Sequence, residues 1–308
     1  MILESLDWQW LFWLSALLSI ASIVLIALVV PRHSPAQSGR FDLTGAVLLA
    51  IGLSAVLVAL SQGNLWGWAS PATLIAAAVG IVVLLAWGRQ QLSTTDPIVD
   101  LRATASAPLL FTNLASLVLG VLMFANLLLT TQVLQGATSE GGFGWSSSAA
   151  GLAMLPNAGV MLAVAPLTAW LATRWGPRTV LAVGGVVIAD GYFLRIVAST
   201  SGTMVIVWAT IVGVGVGIGY AALPMLIVRY APGPQIGEAN GVNALVRAIG
   251  TAIASAGVAA IGSILAVTVG GVPMYSAAAF TTISVIAGIG GLATVVCAAL
   301  ARGQVHLQ

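Results

Sequence analysis

The 308-residue sequence contains no lysine, a single cysteine and two histidines, and only 6% of its residues are charged. A soluble domain carries about 25% charged residues, so this chain cannot cover a water-exposed surface. Cys297 has no partner for an internal disulfide. The net charge of +2 is too small to indicate a nucleic-acid partner. Because 59% of the residues are hydrophobic, we expect the chain to be surrounded by lipid.

Enzyme motifs are also missing. His33 and His306 have no acidic or cysteine neighbours in the sequence, and no Gly-x-Ser-x-Gly or His-Glu-x-x-His pattern occurs. The sequence therefore predicts a protein that is not an enzyme and holds neither a metal nor a cofactor.

Long apolar runs, bounded by charges, prolines or turn residues, predict an all-α polytopic membrane protein. There are about nine transmembrane helices in this interpretation. They lie near 10–30, 43–61, 71–88, 109–133, 149–172, 179–198, 203–227, 241–267 and 275–300. Overlapping glycine pairs, Gly213 with Gly217 and Gly215 with Gly219, predict close helix packing in the seventh span.

Arginine is distributed unevenly between the two sets of loops. Alternate connections and the C-terminal tail carry eight arginines, whereas the opposite connections carry none and contain only Glu140. The eight are Arg32, Arg40, Arg89, Arg102, Arg174, Arg178, Arg229 and Arg302. Positive charge stays on the cytoplasmic side of a membrane. We therefore expect a cytoplasmic C-terminus and an external N-terminus in a bacterial plasma (inner) membrane.

Three charged residues fall inside predicted spans. Asp190 is a candidate proton-coupling carboxylate that should face the bundle interior, or else a structural residue. Arg195, five residues later, either pairs with Asp190 or extends to the outer interface. Arg247, near the cytoplasmic end of the eighth span, is expected either to pair with Glu238 or to bond carbonyl groups of a neighbouring helix.

Four uncharged amides lie on or just after the fourth span: Asn113, Asn126, Gln132 and Gln135. Amides inside a bundle either line a substrate path or form interhelical hydrogen bonds, and both interpretations stay open here. In the short loop after the fifth span, Arg174 and Arg178 flank Gly176. They are either topology determinants or a conformational latch.

Several segments resemble the fourteen-helix drug:proton antiporters of the major facilitator superfamily. Each segment is similar to a motif of that branch, and the motifs occur in the same order. The segments are Asp7-Trp8-Gln9-Trp10-Leu11-Phe12, Phe41-Asp42-Leu43-Thr44-Gly45, Pro97-Ile98-Val99-Asp100-Leu101-Arg102, Ala150-Gly151-Leu152-Ala153-Met154-Leu155-Pro156 and Glu238-Ala239-Asn240-Gly241. Gln9 and Thr173 depart from the family pattern, which has an arginine and an acidic residue at these positions.

The resemblance implies that the nine spans correspond to helices six to fourteen of the family fold. It also implies a structural or gating role for Arg247 rather than substrate contact. Residues 1–30 would be the last helix of the N-terminal bundle, residues 31–108 two linker helices, and residues 109–308 the C-terminal six-helix bundle. The implied activity is proton-coupled efflux of hydrophobic or cationic small molecules, driven by the proton gradient. The implied partners are the lipid bilayer, those substrates, and a polypeptide supplying the first five helices. The alternative is a non-transporting membrane remnant or interaction subunit.

Overall fold

A computed structural model describes residues 9–29, 42–269 and 271–303. The described elements are almost entirely helical. The helices are α1 (Gln9–Val29), α2 (Leu43–Trp66), α3 (Pro71–Ser93), α4 (Leu101–Thr104), α5 (Ala107–Gln135), α6 (Ser147–Leu152), α7 (Leu155–Trp175), α8 (Pro177–Ala198), α9 (Gly202–Tyr230), α10 (Ile236–Ile264) and α11 (Ala277–Leu300). Two single 3₁₀ turns, Thr138–Glu140 and Gly233–Gln235, lie in the connections.

Within this described part of the chain, nine segments are long and apolar enough to cross a membrane. The predicted all-α polytopic fold with nine spans is therefore confirmed. The boundaries differ by a few residues: α2 ends at Trp66 rather than near 61, and α10 begins at Ile236 rather than near 241. The polar residues near 61–64 suggested an early loop, but α2 continues until Gly67, which has φ +89°.

A short antiparallel hairpin between α10 and α11 was not predicted. Strand β1 (Ala266–Val269) pairs with β2 (Val272–Tyr275), with Val269 opposite Val272. The sequence does contain its signal. The pair Gly270-Gly271 separates two short, mostly apolar runs, and a two-residue glycine turn is typical of a tight hairpin.

Helices α5 and α7 to α11 pack together through small residues. On facing sides of α8 and α9, a Cβ atom added to Gly184 would lie 2.8 Å from the carbonyl oxygen of Gly215. A Cβ atom added to Gly215 would lie 2.7 Å from the carbonyl oxygen of Gly184. The same helix α9 places Gly217 against α7 and Gly219 against Leu119 of α5. The predicted close packing of these glycines is confirmed, and it extends to three neighbouring helices.

Helices α2 and α3 form an antiparallel pair that also contacts α10. Asp42 caps the start of α2 and accepts hydrogen bonds from the side chains of Gln90 (2.9 Å) and Gln91 (2.7 Å) near the end of α3. Helix α1 belongs to a unit of its own, separate from the unit that contains α2 to α11. The assignment of 1–30, 31–108 and 109–308 to three parts of a transporter stays a prediction.

Contacts between helix ends show which connections lie together. Arg178 at the start of α8 contacts the end of α11, and Gln235 before α10 contacts Asp100 before α5. We call this end of the bundle the arginine-rich end, defined by Arg102, Arg178, Arg229 and Arg302. At the opposite end, Trp145 lies against Gly202 at the start of α9. Arg32 and Arg40 lie outside the described residues.

Candidate functional site

The side chain of Asn113 takes part in a polar contact between α5 and α10. Asn243 donates its side-chain amide to Asn113 Oδ1 at 2.9 Å, and Ser116 Oγ donates to the backbone oxygen and to Oδ1 of Asn243, both at 3.1 Å. All three side chains are buried. This geometry favours interhelical hydrogen bonding over substrate contact for Asn113.

Asn126 belongs to a second buried chain of hydrogen bonds. Its Nδ2 donates to the carbonyl oxygen of Ala209 in α9 at 3.0 Å, and Thr130 Oγ1 donates to its Oδ1 at 3.4 Å. Arg195 Nη1 of α8 in turn donates to Thr130 Oγ1 at 3.1 Å. These hydrogen bonds join α5, α8 and α9. Both the amide nitrogen and the oxygen of Asn126 therefore have partners within the bundle.

Gln132 and Gln135 are exposed in the last turn of α5, at the opposite end of the bundle. Gln135 Oε1 accepts a hydrogen bond from Ser147 Oγ at 2.9 Å, which ties α5 to the start of α6. The structure therefore does not bring the four amides to one surface, and a substrate contact for any of them stays a prediction.

Asp190 does not face the bundle interior as predicted; its side chain is exposed. The core face of α8 is occupied by residues such as Gly184, Ile188 and Tyr192. At 100° per residue, Asp190 lies about 200° from Ile188, which places it on the other face of the helix beside exposed Val186 and Val197. No ion pair joins it to Arg195 among the described residues, because Arg195 points to the core. Proton coupling by Asp190 stays a prediction.

Arg247 does not pair with Glu238. Its guanidinium lies 4.8 Å from the ring centroid of Tyr220 in α9, a cation–π contact. Its backbone packs against Gly120 of α5 so closely that no side chain fits at that position. Arg247 thus joins α10 to α5 and α9.

Glu238 instead contacts the connection before α5. It accepts a hydrogen bond from the backbone N–H of Asp100, while Asp100 accepts one from the side chain of Gln235 at 3.1 Å. Asp100 also caps α4 through the backbone N–H groups of Arg102 and Ala103. Hydrogen bonds from Ala103 N–H, Gln235 and Arg102 N–H hold the pKa of Asp100 below its usual range, although partial burial opposes them.

The connection between α7 and α8 is the single residue Gly176, with Arg174 in the last turn of α7 and Arg178 in the first turn of α8. Gly176 has φ +78°, a conformation that favours glycine. Arg178 donates from Nε to the carbonyl oxygen of Ala298 (3.1 Å) and from Nη2 to that of Ala299 (3.0 Å). Arg174 is exposed and stacks 4.4 Å from the ring centroid of Trp170. Arg178 therefore joins two helices, whereas Arg174 contacts only its own helix.

Sequence reasoning missed an apolar crevice of about 270 Å³ between α10 and α11, above α5. Its walls include Ile253 and Gly257 from α10 and Ile286 from α11, and Leu122 of α5 forms part of its floor. Every lining side chain is apolar. No residue pattern marked it, because its three helices are apolar on several faces.

These spans and their buried polar contacts define a polytopic α-helical membrane protein whose helices pack closely through glycine. The sequence model of the major facilitator superfamily matches residues 1–255, and the chain belongs to this superfamily.

Several curated relatives are named for drug resistance. Multidrug resistance protein Stp of Mycobacterium tuberculosis is 28% identical over 273 residues, which cover 86% of this chain and 48% of Stp. Lincomycin resistance protein LmrB of Listeria monocytogenes is 26% identical over 264 residues, covering 82% of this chain and 54% of LmrB. The chain spans about half the length of these relatives. The predicted resemblance to the multidrug efflux type of the superfamily is confirmed.

Proposed function

We propose that these nine membrane-spanning segments form part of a proton-driven exporter of hydrophobic or cationic small molecules. In this proposal they act together with the helices that the family fold places before them, on the same or a second polypeptide. Transporters of this kind rock two helix bundles around a site near the middle of the membrane. The names of the relatives support efflux as the direction of transport.

The apolar crevice between α10 and α11 is the observation that carries this proposal. A binding site for hydrophobic molecules is a largely apolar concavity, and this one has no polar side chain in its lining. It is bounded by α10, which also carries the half-buried cation Arg247. We assign this crevice to the apolar part of the substrate.

Orientation follows from the arginines. Arg102, Arg178, Arg229 and Arg302 lie at one end of the bundle, and positive charge is retained on the cytoplasmic side. The proposal therefore places the arginine-rich end in the cytoplasm and the hairpin β1–β2 outside, in a bacterial inner membrane.

Filling the crevice tests the substrate assignment. Gly257 lines the crevice, and a Cβ atom added there meets nothing within 4 Å, so the side chain of Gly257→Leu can extend into the crevice. In cells carrying the complete set of helices, efflux of a lipophilic cationic dye under a proton gradient should fall at least severalfold. Gly159→Leu in α7, where the added Cβ also meets nothing, is the matched control. Equal efflux by both variants would rule out the crevice as the substrate site.

Proton coupling is tested at Asp190. Asp190→Asn should abolish efflux driven by a proton gradient but leave dye binding intact, and Asp96→Asn in the loop before α4 is the control. Intact proton-driven efflux in Asp190→Asn would exclude this carboxylate as the proton-coupling group.

Robust efflux by the 308-residue chain expressed alone would contradict the need for further helices. No efflux in any arrangement would favour the alternative function, an interaction subunit.

A further inference from the structure

Arg195, in the last turn of α8, is a buried cation without a buried anion. Its side chain is only 4% exposed. Arginine stays protonated in proteins, and an ionised side chain inside a membrane protein is costly unless an opposite charge or a full set of hydrogen bonds compensates it. Among the described residues, no carboxylate forms an ion pair with Arg195, and the nearest along the helix, Asp190, lies on the exposed face.

The hydrogen bonds of this guanidinium are incomplete. Nη1 donates to Thr130 Oγ1, but Nη2 is fully buried and has no partner. A buried donor without an acceptor is destabilising, and a charged donor more so than a neutral one. Both the charge and one donor of Arg195 therefore lack a partner.

Arg195 lines a cavity of about 150 Å³ at the opposite end of the bundle, between α5, α8, α9 and α11. Ser284 of α11 also lines it; this side chain is only 3% exposed, and its hydroxyl makes no hydrogen bond to any described residue. The rings of Phe143 and Phe280 form part of the wall. Exposed Thr281 lies at the rim, which gives access from the end of the bundle.

We propose that this cavity binds a small monovalent anion, of the size of a halide, between Arg195 Nη2 and Ser284 Oγ. Pockets for drug-sized ligands measure roughly 300–1,000 Å³. At about 150 Å³ this cavity has half the lower value and is smaller than the crevice of about 270 Å³ assigned to the apolar part of the substrate, so it fits a much smaller ligand. Water would satisfy the orphaned donor but would leave the charge uncompensated. An anion supplies both the acceptor and the charge, and it connects the end of α8 to the start of α11.

Chloride is the probe for the test. The 308-residue protein is purified in a neutral detergent, and its unfolding temperature is measured while chloride replaces gluconate at constant ionic strength. A ligand that binds only the folded state stabilises it in a saturable manner. We expect chloride to raise the Tm by about 2–4 °C, with bromide acting similarly and gluconate, which is too large for the cavity, having no effect.

Variants locate the binding. Arg195→Gln should abolish the chloride response, and Ser284→Ala should raise the half-maximal chloride concentration severalfold while preserving the fold. Arg174→Gln removes an exposed arginine that does not line the cavity and should respond as the wild type does. An unchanged response in both Arg195→Gln and Ser284→Ala would overturn the proposal.

One internal source of negative charge needs its own variant. Glu140 precedes the cavity-lining Gly141 in the sequence. The proposal predicts that Glu140→Gln retains the full chloride response. If instead the wild type shows no chloride response and Glu140→Gln lowers the Tm as much as Arg195→Gln does, the counterion is a carboxylate of the chain and the anion site is refuted.

Discussion

The side-chain amide of Asn243 donates a hydrogen bond to the side-chain oxygen of Asn113 at 2.9 Å, and this bond links the buried faces of α10 and α5. These helices also approach closely where Gly250 lies against the backbone of Leu117. A polar contact in such a place specifies how two apolar helices are aligned, because a sliding movement would leave both amides without partners.

Asn243→Ala should therefore destabilise the protein by about 1–2 kcal/mol, since the oxygen of Asn113 loses its donor in a dry environment. The free energy of unfolding in mixed micelles measures this effect. Asn240→Ala is the control, because Asn240 Nδ2 donates only to the carbonyl oxygen of Ile236 in its own helix. A double variant that also carries Asn113→Ala should lose little further stability. Additive losses would show that the two amides act independently.

The contact between Gly184 and Gly215 gives a steric prediction. Gly215→Val should destabilise the bundle by about 1–3 kcal/mol, because the added Cβ would lie 2.7 Å from the carbonyl oxygen of Gly184, closer than van der Waals contact allows. Gly159→Val adds the same side chain where nothing lies within 4 Å of its Cβ and should have a much smaller effect. Thermal unfolding in detergent compares the two. A similar loss of stability in both variants would mean that α8 and α9 move apart to accommodate the side chain at position 215 with no further loss of folding free energy.

The nine spans could be predicted because each is an uninterrupted apolar run of bilayer length, and such runs need no knowledge of their neighbours. The face that a residue occupies could not be predicted in the same way. Val186 and Ile188 in α8 are equally apolar, but the first is exposed and the second is in the core. Without periodicity, nothing in the sequence showed that Asp190 lies on the exposed face.

The sequence indicated that the buried amides could form hydrogen bonds between helices, but it did not indicate which groups they would bond. Asn113 and Asn126 were open to two interpretations, and only the structure supplied Asn243 and Ala209 as the groups that they contact. The cavity beside Arg195 was out of reach of sequence reasoning, because residues as distant as Val133 and Ser284 form it. Local sequence patterns do not show which residues of four different helices lie close together in the fold.

Arg178 provides a prediction at the arginine-rich end. Arg178→Gln should destabilise the protein by about 1–2 kcal/mol, because it loses charge-assisted hydrogen bonds to the carbonyl oxygens of Ala298 and Ala299 at the C-terminal end of α11. Arg174→Gln removes an equal charge on the other side of Gly176 but loses only a cation–π contact. It should therefore destabilise the protein by less than about 1 kcal/mol. Chemical unfolding of both variants makes the comparison. Equal effects would indicate that Arg178 acts only through its charge.

Asp100 predicts how stability responds to acid. Its pKa is lowered in the folded protein, chiefly by the hydrogen bond from the backbone N–H of Ala103 and also by the side chain of Gln235. A carboxylate with a lowered pKa stabilises the folded state at every pH above its unfolded pKa, about 3.9. This contribution is lost as the pH falls through the folded pKa. The group is only partly buried, so solvent screening keeps the contribution to about 1 kcal/mol or less.

Asp100→Asn should therefore have a lower unfolding temperature than the wild type at pH 7, and the difference should shrink from about pH 4 downwards. Measuring Tm against pH for the two proteins isolates this carboxylate, because the remaining acidic groups titrate in both. Asp96→Asn in the same connection, whose exposed side chain makes no hydrogen bond to a described residue, should follow the wild-type profile. A difference between Asp100→Asn and the wild type that stays constant down to pH 2 would mean that Asp100 stabilises this connection through its shape and not through its charge.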